Sequence, residues 1–207
     1  MKITFVDVEA SSLNADSFPI ELAWVDRHGQ GESYLIRPEP EWTDWSERSE
    51  AVHGISRAVL LRDGRPALWV AHRAHAMLDG HLTISDNPRY DAQWLSKLYK
   101  LAGYPEIRLH SLHFVAGTEI ARILALNVAE PDSPAYWRQA RLLLDAAQNL
   151  VAQTTETAIM QLTHRHRALS DATDLWRIWL AVRTAMDDRL RVPTPGTLSV
   201  ADDWCAD

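Results

Sequence analysis

The first third of the chain alternates between apolar, β-branched runs and short polar breaks. Residues 3–8, 20–25 and 33–37 are strand-forming runs, with polar connections at Asp26-Arg-His-Gly29 and Gln30-Gly31. That order predicts three successive strands in a meander. Residues 38–45 are rich in proline and tryptophan, and Ser46-Glu-Arg-Ser-Glu50 then leads through Val52-His53-Gly54-Ile55 into a loop and helix. Further on, Leu68, Val70, Ala71, Ala74, Met77 and Leu78 share one face of a helix over 66–78, which Asp79-Gly80 ends. A short strand over 82–85, a helix over 91–101 and a strand over 107–111 follow. From about 117 to 186 the pattern is mostly helical, interrupted at Pro131 to Pro134. Strands first, then helix and strand in alternation, then helices: this sequence of elements predicts a mixed sheet with helices against it, an α/β or α+β domain with one core. Residues 191–207 carry two prolines, a glycine and several acids, and are expected to be extended or poorly ordered.

Composition narrows the picture. A length of 207 residues and 46% apolar content suit a single domain with a substantial core. Lys and Arg total 21 against 28 Asp and Glu, a formal charge of −7, which is the wrong sign for a protein that coats long nucleic acid by neutralising phosphates. Any contact with a polynucleotide is therefore expected to be brief and local. The single cysteine, Cys205, rules out an intramolecular disulfide and a cysteine-based zinc site. The amino terminus lacks a secretory h-region and no apolar run reaches about 18 residues, so a cytoplasmic location is expected.

The candidate chemistry lies in four short pieces. Asp7 and Glu9 stand one residue apart on a predicted strand, so both side chains leave the same face, shared with Ile3 and Phe5, while Val6 and Val8 take the other. Burying two like charges together is costly unless protons or cations compensate. Asp91 lies in Tyr90-Asp-Ala-Gln-Trp-Leu95, and His166 and Asp171 lie in His166-Arg-Ala-Leu-Ser-Asp-Ala172. Four carboxylates gathered from distant positions suit a pair of hard divalent cations, which prefer oxygen ligands, and the histidine is a candidate base.

Taken in order, Asp7-Val-Glu9, Asp91 and His166-x-Ala168-x-x-Asp171-Ala172 resemble the motifs of the DEDD exonuclease superfamily, in its DEDDh branch. Val52-His53-Gly54-Ile55 resembles a loop common in the proofreading members, and the resemblance spans about residues 3 to 180. It implies a ribonuclease H-like fold: a five-stranded mixed sheet, its first three strands antiparallel, flanked by helices in one domain over 1–190, with 191–207 as a tail. It also implies a 3′–5′ exonuclease in which Asp7, Glu9, Asp91 and Asp171 hold two Mg²⁺ or Mn²⁺ ions and His166 is the general base. Nucleoside 5′-monophosphates would leave one at a time from single-stranded DNA or RNA 3′ ends. Leu13 would pack against the terminal base or sugar. His53 would contact that nucleotide or else stabilise its own loop. Arg89, with Arg165 and Arg167, would neutralise phosphates or else be ordinary surface charge. A homodimer is a further implication of the resemblance.

The chain also departs from the pattern. Ala10-Ser11-Ser12-Leu13 follows Glu9 where Thr or Ser and then Gly are usual, and Ser85-Asp86-Asn87-Pro88-Arg89-Tyr90 precedes Asp91 where many relatives have His-Asn and a small residue. The latter variant resembles a less-described bacterial exonuclease-like group. These changes leave a second reading open, a non-catalytic protein that binds nucleic-acid ends or docks a nuclease or polymerase. Asp86 is expected to cap the helix beginning near Pro88 rather than to join the metal ligands. Glu21 either faces Asp7 or faces solvent. Trp176 and Trp179 are expected in the core, and Trp42 and Trp45, in a loop, are better placed to meet a ligand.

Overall fold

The computed structural model describes residues 2–117, 130, 133–161 and 166–191. His164, Arg165 and the expected tail from 192 onward lie outside the described residues. The elements run β1 (Ile3–Ala10), β2 (Pro19–Asp26), β3 (Gly31–Arg37), α1 (Glu47–His53), α2 (Arg57–Asp63), β4 (Arg65–Pro66), α3 (Ala67–Leu78), β5 (Leu82–Ile84), α4 (Pro88–Leu101), β6 (Leu109–His110), α5 (Pro134–Gln161) and α6 (Ala168–Arg191). A helical segment over 112–117 follows β6.

The sheet order is β4-β3-β2-β1-β5-β6. β1, β2 and β3 are antiparallel neighbours, as the meander predicted, while β5 and β6 lie parallel beyond β1. The sheet has six strands rather than the five expected. The extra one, β4, is two residues long and pairs in parallel with the end of β3. Gly64 makes this approach feasible, because a Cβ there would lie 2.4 Å from the Leu60 carbonyl oxygen and 2.6 Å from the Arg37 nitrogen.

Alternation along β1 divides the interior in two. Val6, Val8 and Ala10 face α3 and α4, packing with Val70, Ala74, Leu95 and Leu98. Ile3 and Phe5 face the carboxyl-terminal helices and pack with Val151, Leu175, Trp179 and Val182. Both faces of β1 are therefore covered, which is why its apolar residues run almost without a polar break until Asp7. Phe5 and Trp179 meet at 5.4 Å between ring centroids, and the Trp176 indole donates to the Arg27 carbonyl at 3.2 Å. These contacts seat α6 across β1 and β2. Trp179 is core as expected, and Trp176 is packed against it from a half-buried position.

Candidate active site

On the face that looks toward α6, β1 changes from Ile3 and Phe5 to Asp7 and Glu9. The register between β1 and β2 slips just past this point, between Glu9 and Ala10, an irregularity of the kind that re-aims side chains at a strand end. Two helices begin beside the same end of the sheet. Asp91 is the fourth residue of α4 and Asp171 the fourth of α6, so each carboxylate sits in the first turn, where the helix dipole favours negative charge.

The structure brings the sequence-predicted acids together. Carboxylate oxygens of Asp7, Glu9 and Asp171 lie within 4.8 Å of one another, and so do those of Asp7, Asp86 and Asp91. Asp7 belongs to both groups. None of Asp7, Glu9, Asp91 and Asp171 pairs with a lysine or arginine among the described residues. Burial and mutual repulsion consequently push their pKa values up. Burial is the largest cause for Asp7, which rises well above the ordinary carboxylate range, followed by the charges of Asp91, Asp86, Glu9 and Asp171. Glu9 is pushed up to about 7 by burial and then by Asp171 and Glu21, with partial relief from Arg167. Asp91 rises to about 8, mainly by burial, against a lowering hydrogen bond from the Ser85 hydroxyl. Asp171 rises to about 6, again by burial first, and the charge of nearby His166 opposes the rise.

The four predicted acids thus gather in two groups that share Asp7, and His166 is exposed immediately before α6, within electrostatic reach of Asp171. The donor set consists of carboxylate oxygens, which fits hard divalent cations such as Mg²⁺ and Mn²⁺ and does not fit a thiolate or imidazole zinc centre.

Two expectations need correction. Asp86 does not cap α4: the N-cap is Asn87, without a side-chain capping bond, and Asp86 instead faces Asp7 and Asp91. Loop tryptophans do not reach for a ligand either. Trp42 is buried and stacks on Phe18 at 5.3 Å, and the Trp45 indole donates to Glu50 at 2.8 Å.

Glu21, left open by the sequence, is buried opposite Glu9 in the β1–β2 ladder and has a structural role. It accepts two hydrogen bonds from Arg167, at 2.9 and 2.7 Å, one from the Ala168 amide at 3.2 Å and one from the Ser33 hydroxyl at 3.0 Å. Burial alone would raise its pKa, but these partners outweigh burial and hold it below the ordinary value. Arg167 is therefore committed to Glu21. The pair fixes the start of α6 and hence the spacing between β1 and Asp171. The sequence offered no signal for this, because the partners are 146 residues apart.

A cleft of about 540 Å³ opens from Glu9, lined among others by Ser12, Leu13, Arg48, Val52, His53 and Trp94. Leu13 is 73% exposed at its edge. The Ser11-Ser12-Leu13-Asn14 turn is tied down by Asp44, which accepts from Ser12 and from Asn14 at 2.9 Å, and by the Ser46 amide, which donates to the Ser11 carbonyl at 3.0 Å. Ser46 also caps α1, whose last residue is His53 and whose end is closed by Gly54 at φ +69°. His53 Nδ1 accepts from the Ile55 amide at 3.0 Å, which leaves Nε2 as the protonated nitrogen, buried and without a hydrogen-bond partner among the described residues. His53 thus stabilises its loop through Nδ1. Arg89 is exposed in the first turn of α4 and does not line the cleft.

No family model matches the chain, and no curated protein matches it. Solved structures do. Exonuclease I of E. coli in its zinc-bound complex with single-stranded DNA superposes with a TM-score of 0.62 at 14% identity, over 92% of this chain and 42% of that one. The same enzyme with a dT13 oligonucleotide gives 0.59 at 13%, over 92% and 43%. A moderately thermophilic Exonuclease I from Methylocaldum szegediense gives 0.59 at 13%, over 90% and 41%. At these identities the likeness is one of fold. The fold is the mixed α/β, ribonuclease H-like one, with helices on both faces of the sheet. This chain spans less than half the length of the solved structures it matches.

Proposed function

We propose that this chain is a DEDDh-type, two-metal 3′–5′ exonuclease that hydrolyses single-stranded or short DNA or RNA from the 3′ end and releases nucleoside 5′-monophosphates. The observation that carries this reading is the convergence of Asp7, Glu9, Asp91 and Asp171 at one sheet end, raised in pKa and unpaired with lysine or arginine among the described residues, with His166 within electrostatic reach of Asp171. Such a cluster calls for cations more than for any protein group on hand. The fold likeness supports the same reading, since two of the matched Exonuclease I structures hold single-stranded DNA.

Asp7, Glu9 and Asp171 would hold one Mg²⁺ or Mn²⁺, and Asp7 with Asp91 the other. Bound there, the metals would supply Lewis-acid charge for a water nucleophile and for the departing 3′ oxygen. His166 takes the proton from the attacking water at a ring nitrogen, its exposed place before α6 leaving room to reach the substrate. The Glu21–Arg167 pair keeps Asp171 and His166 in register with β1. In the cleft, Leu13 packs on the terminal base or sugar and the His53 loop contacts the same nucleotide. Net charge of −7 limits the grip to these local contacts and favours short ends over long duplexes. A binding or docking protein without turnover would not need the full set of five residues that this chain retains.

The deciding experiment incubates the protein and Asp7→Ala with 5′-labelled single-stranded RNA and DNA of one sequence, in Mg²⁺, Mn²⁺ or EDTA. A metal-dependent ladder shortening from the 3′ end, absent in the variant, is expected. No cleavage in any lane would leave the binding or docking reading in its place.

A further inference from the structure

The metal-nuclease reading uses four carboxylates, but the structure puts five at the site. Asp86 is exposed, yet its carboxylate lies within 4.8 Å of oxygens of both Asp7 and Asp91. Its position is built. Ser85, fully buried just after β5, donates its hydroxyl to Asp91 and accepts from the Asn87 amide at 3.0 Å, so the turn that carries Asp86 is fastened on both sides to the start of α4. Asp86 takes no hydrogen bond from any described residue and does not cap the helix, which removes the two ordinary structural uses of an acid at this place. The charge of Asp86 is felt at Asp7, Glu9, Asp91 and Asp171 alike.

We propose that Asp86 is a fifth carboxylate ligand of this site, which gives each of two divalent cations three protein carboxylates: Asp7, Glu9 and Asp171 for one, and Asp7, Asp86 and Asp91 for the other. The inference rests on the metal-nuclease reading and goes further, because it says where the second cation gets its affinity. With Asp7 and Asp91 alone, that position would lean on substrate phosphate to complete its shell. With Asp86 added, charge count and ligand number rise, and the second cation binds before any nucleic acid arrives.

The test is Mn²⁺ binding to the full chain without nucleic acid, followed by calorimetry and by the electron paramagnetic resonance of free Mn²⁺, for the unchanged protein, Asp86→Asn and Asp171→Asn. Two Mn²⁺ are expected for the unchanged protein. Asp86→Asn should keep one site and weaken the other by at least about tenfold. Asp171→Asn should weaken the complementary site. Asp86 is exposed and makes no hydrogen bond with a described residue, so its Asn variant should melt no lower than the parent, and a melting curve checks this. Equal stoichiometry and affinities in the parent and Asp86→Asn would overturn the assignment of Asp86 while leaving the nuclease reading standing, as would a parent that binds a single Mn²⁺. A parent that binds no Mn²⁺ would overturn both.

Discussion

Glu9 and Glu21 are directly opposite each other on adjacent strands, carry the same side chain and face the same helix, yet the protein treats them in opposite ways. Glu21 receives four hydrogen bonds, including a two-pronged grip from Arg167, and its pKa is held down. Glu9 has no such partners, and its pKa is pushed up to about 7. The difference separates a carboxylate that the fold consumes from one that the fold leaves over. Glu21 closes the seam between β2 and the start of α6. Glu9, with Asp7, Asp91 and Asp171, is left needing more positive charge than the partial relief from Arg167 supplies. A cluster kept in that condition stores an affinity for cations, at the cost of a less stable metal-free state.

The strongest way to break the comparison is to substitute on the Glu9 side. Asp7→Ala and Glu9→Gln should reduce exonuclease turnover to background with circular dichroism unchanged, because the lost groups hold cations and not the fold. Substantial hydrolysis by well-folded, contaminant-free Asp7→Ala would move the active site elsewhere. Next in size is His166→Ala. Removing a general base costs about 10²- to 10⁴-fold in kcat, and Mn²⁺ binding should survive, since the imidazole is not among the ligand groups. Loss of metal binding in this variant would give His166 a different role.

On the Glu21 side the expected damage is to stability. Glu21→Gln leaves Arg167 without its counter-charge and weakens the tie to the Ala168 amide, for a loss of about 2 kcal/mol in denaturant unfolding. Activity should fall only as far as Asp171 and His166 drift from β1, so kcat should recover partly when Mn²⁺ is raised. If Glu21→Gln unfolds like the parent but loses all turnover, Glu21 belongs with the catalytic carboxylates and the contrast with Glu9 collapses.

Much of this contrast could be read from the chain, and its limits are instructive. Period-two alternation in β1 placed Asp7 and Glu9 on one face and Val6 and Val8 on the other, and the two packed clusters divide along that line. The meander and the helix over 67–78 also follow from local pattern. What local pattern could not carry is partnership across distance. Nothing near Glu21 announces Arg167, and nothing near Asp86 tells a helix cap from a residue that faces Asp7 across the sheet edge. β4 escaped notice for a related reason: two residues have no periodicity, and their pairing depends on Gly64 letting the chain pass close to Arg37.

Acidity gives a gentler probe of the same difference. The site carboxylates bind protons more tightly when folded than when unfolded, so between their unfolded values near 4 and their folded values of about 6, 7 and 8 the folded state holds the extra protons. Stability of the metal-free protein should therefore be greatest at low pH in this window and fall as pH rises through 8. Glu21 works in the opposite sense, favouring the fold above about pH 4 and withdrawing that support on acidification. In EDTA the melting temperature should drop by a few degrees from pH 5.5 to pH 8.5. Asp91→Asn should flatten the drop, and Mn²⁺ should reverse it, binding more tightly as the carboxylates lose their protons. A metal-free melting temperature that climbs over this range would mean that the cluster is already neutralised.

The smallest expected effect tests whether the cleft beside Glu9 holds the substrate end. Leu13 is exposed and stands on a turn that Asp44 and Ser46 clamp in place, so shortening its side chain leaves the surrounding bonds intact. Covering it with a base or sugar removes apolar surface from water and contributes about 1 kcal/mol, which Leu13→Ala would forfeit. That contact is equally present before and during bond cleavage, so KM should rise about fivefold with kcat unchanged. A fall in kcat at constant KM would instead mean that Leu13 sets the angle at which the terminal nucleotide meets the carboxylates. The cleft would then belong to the alignment of the scissile bond rather than to its capture.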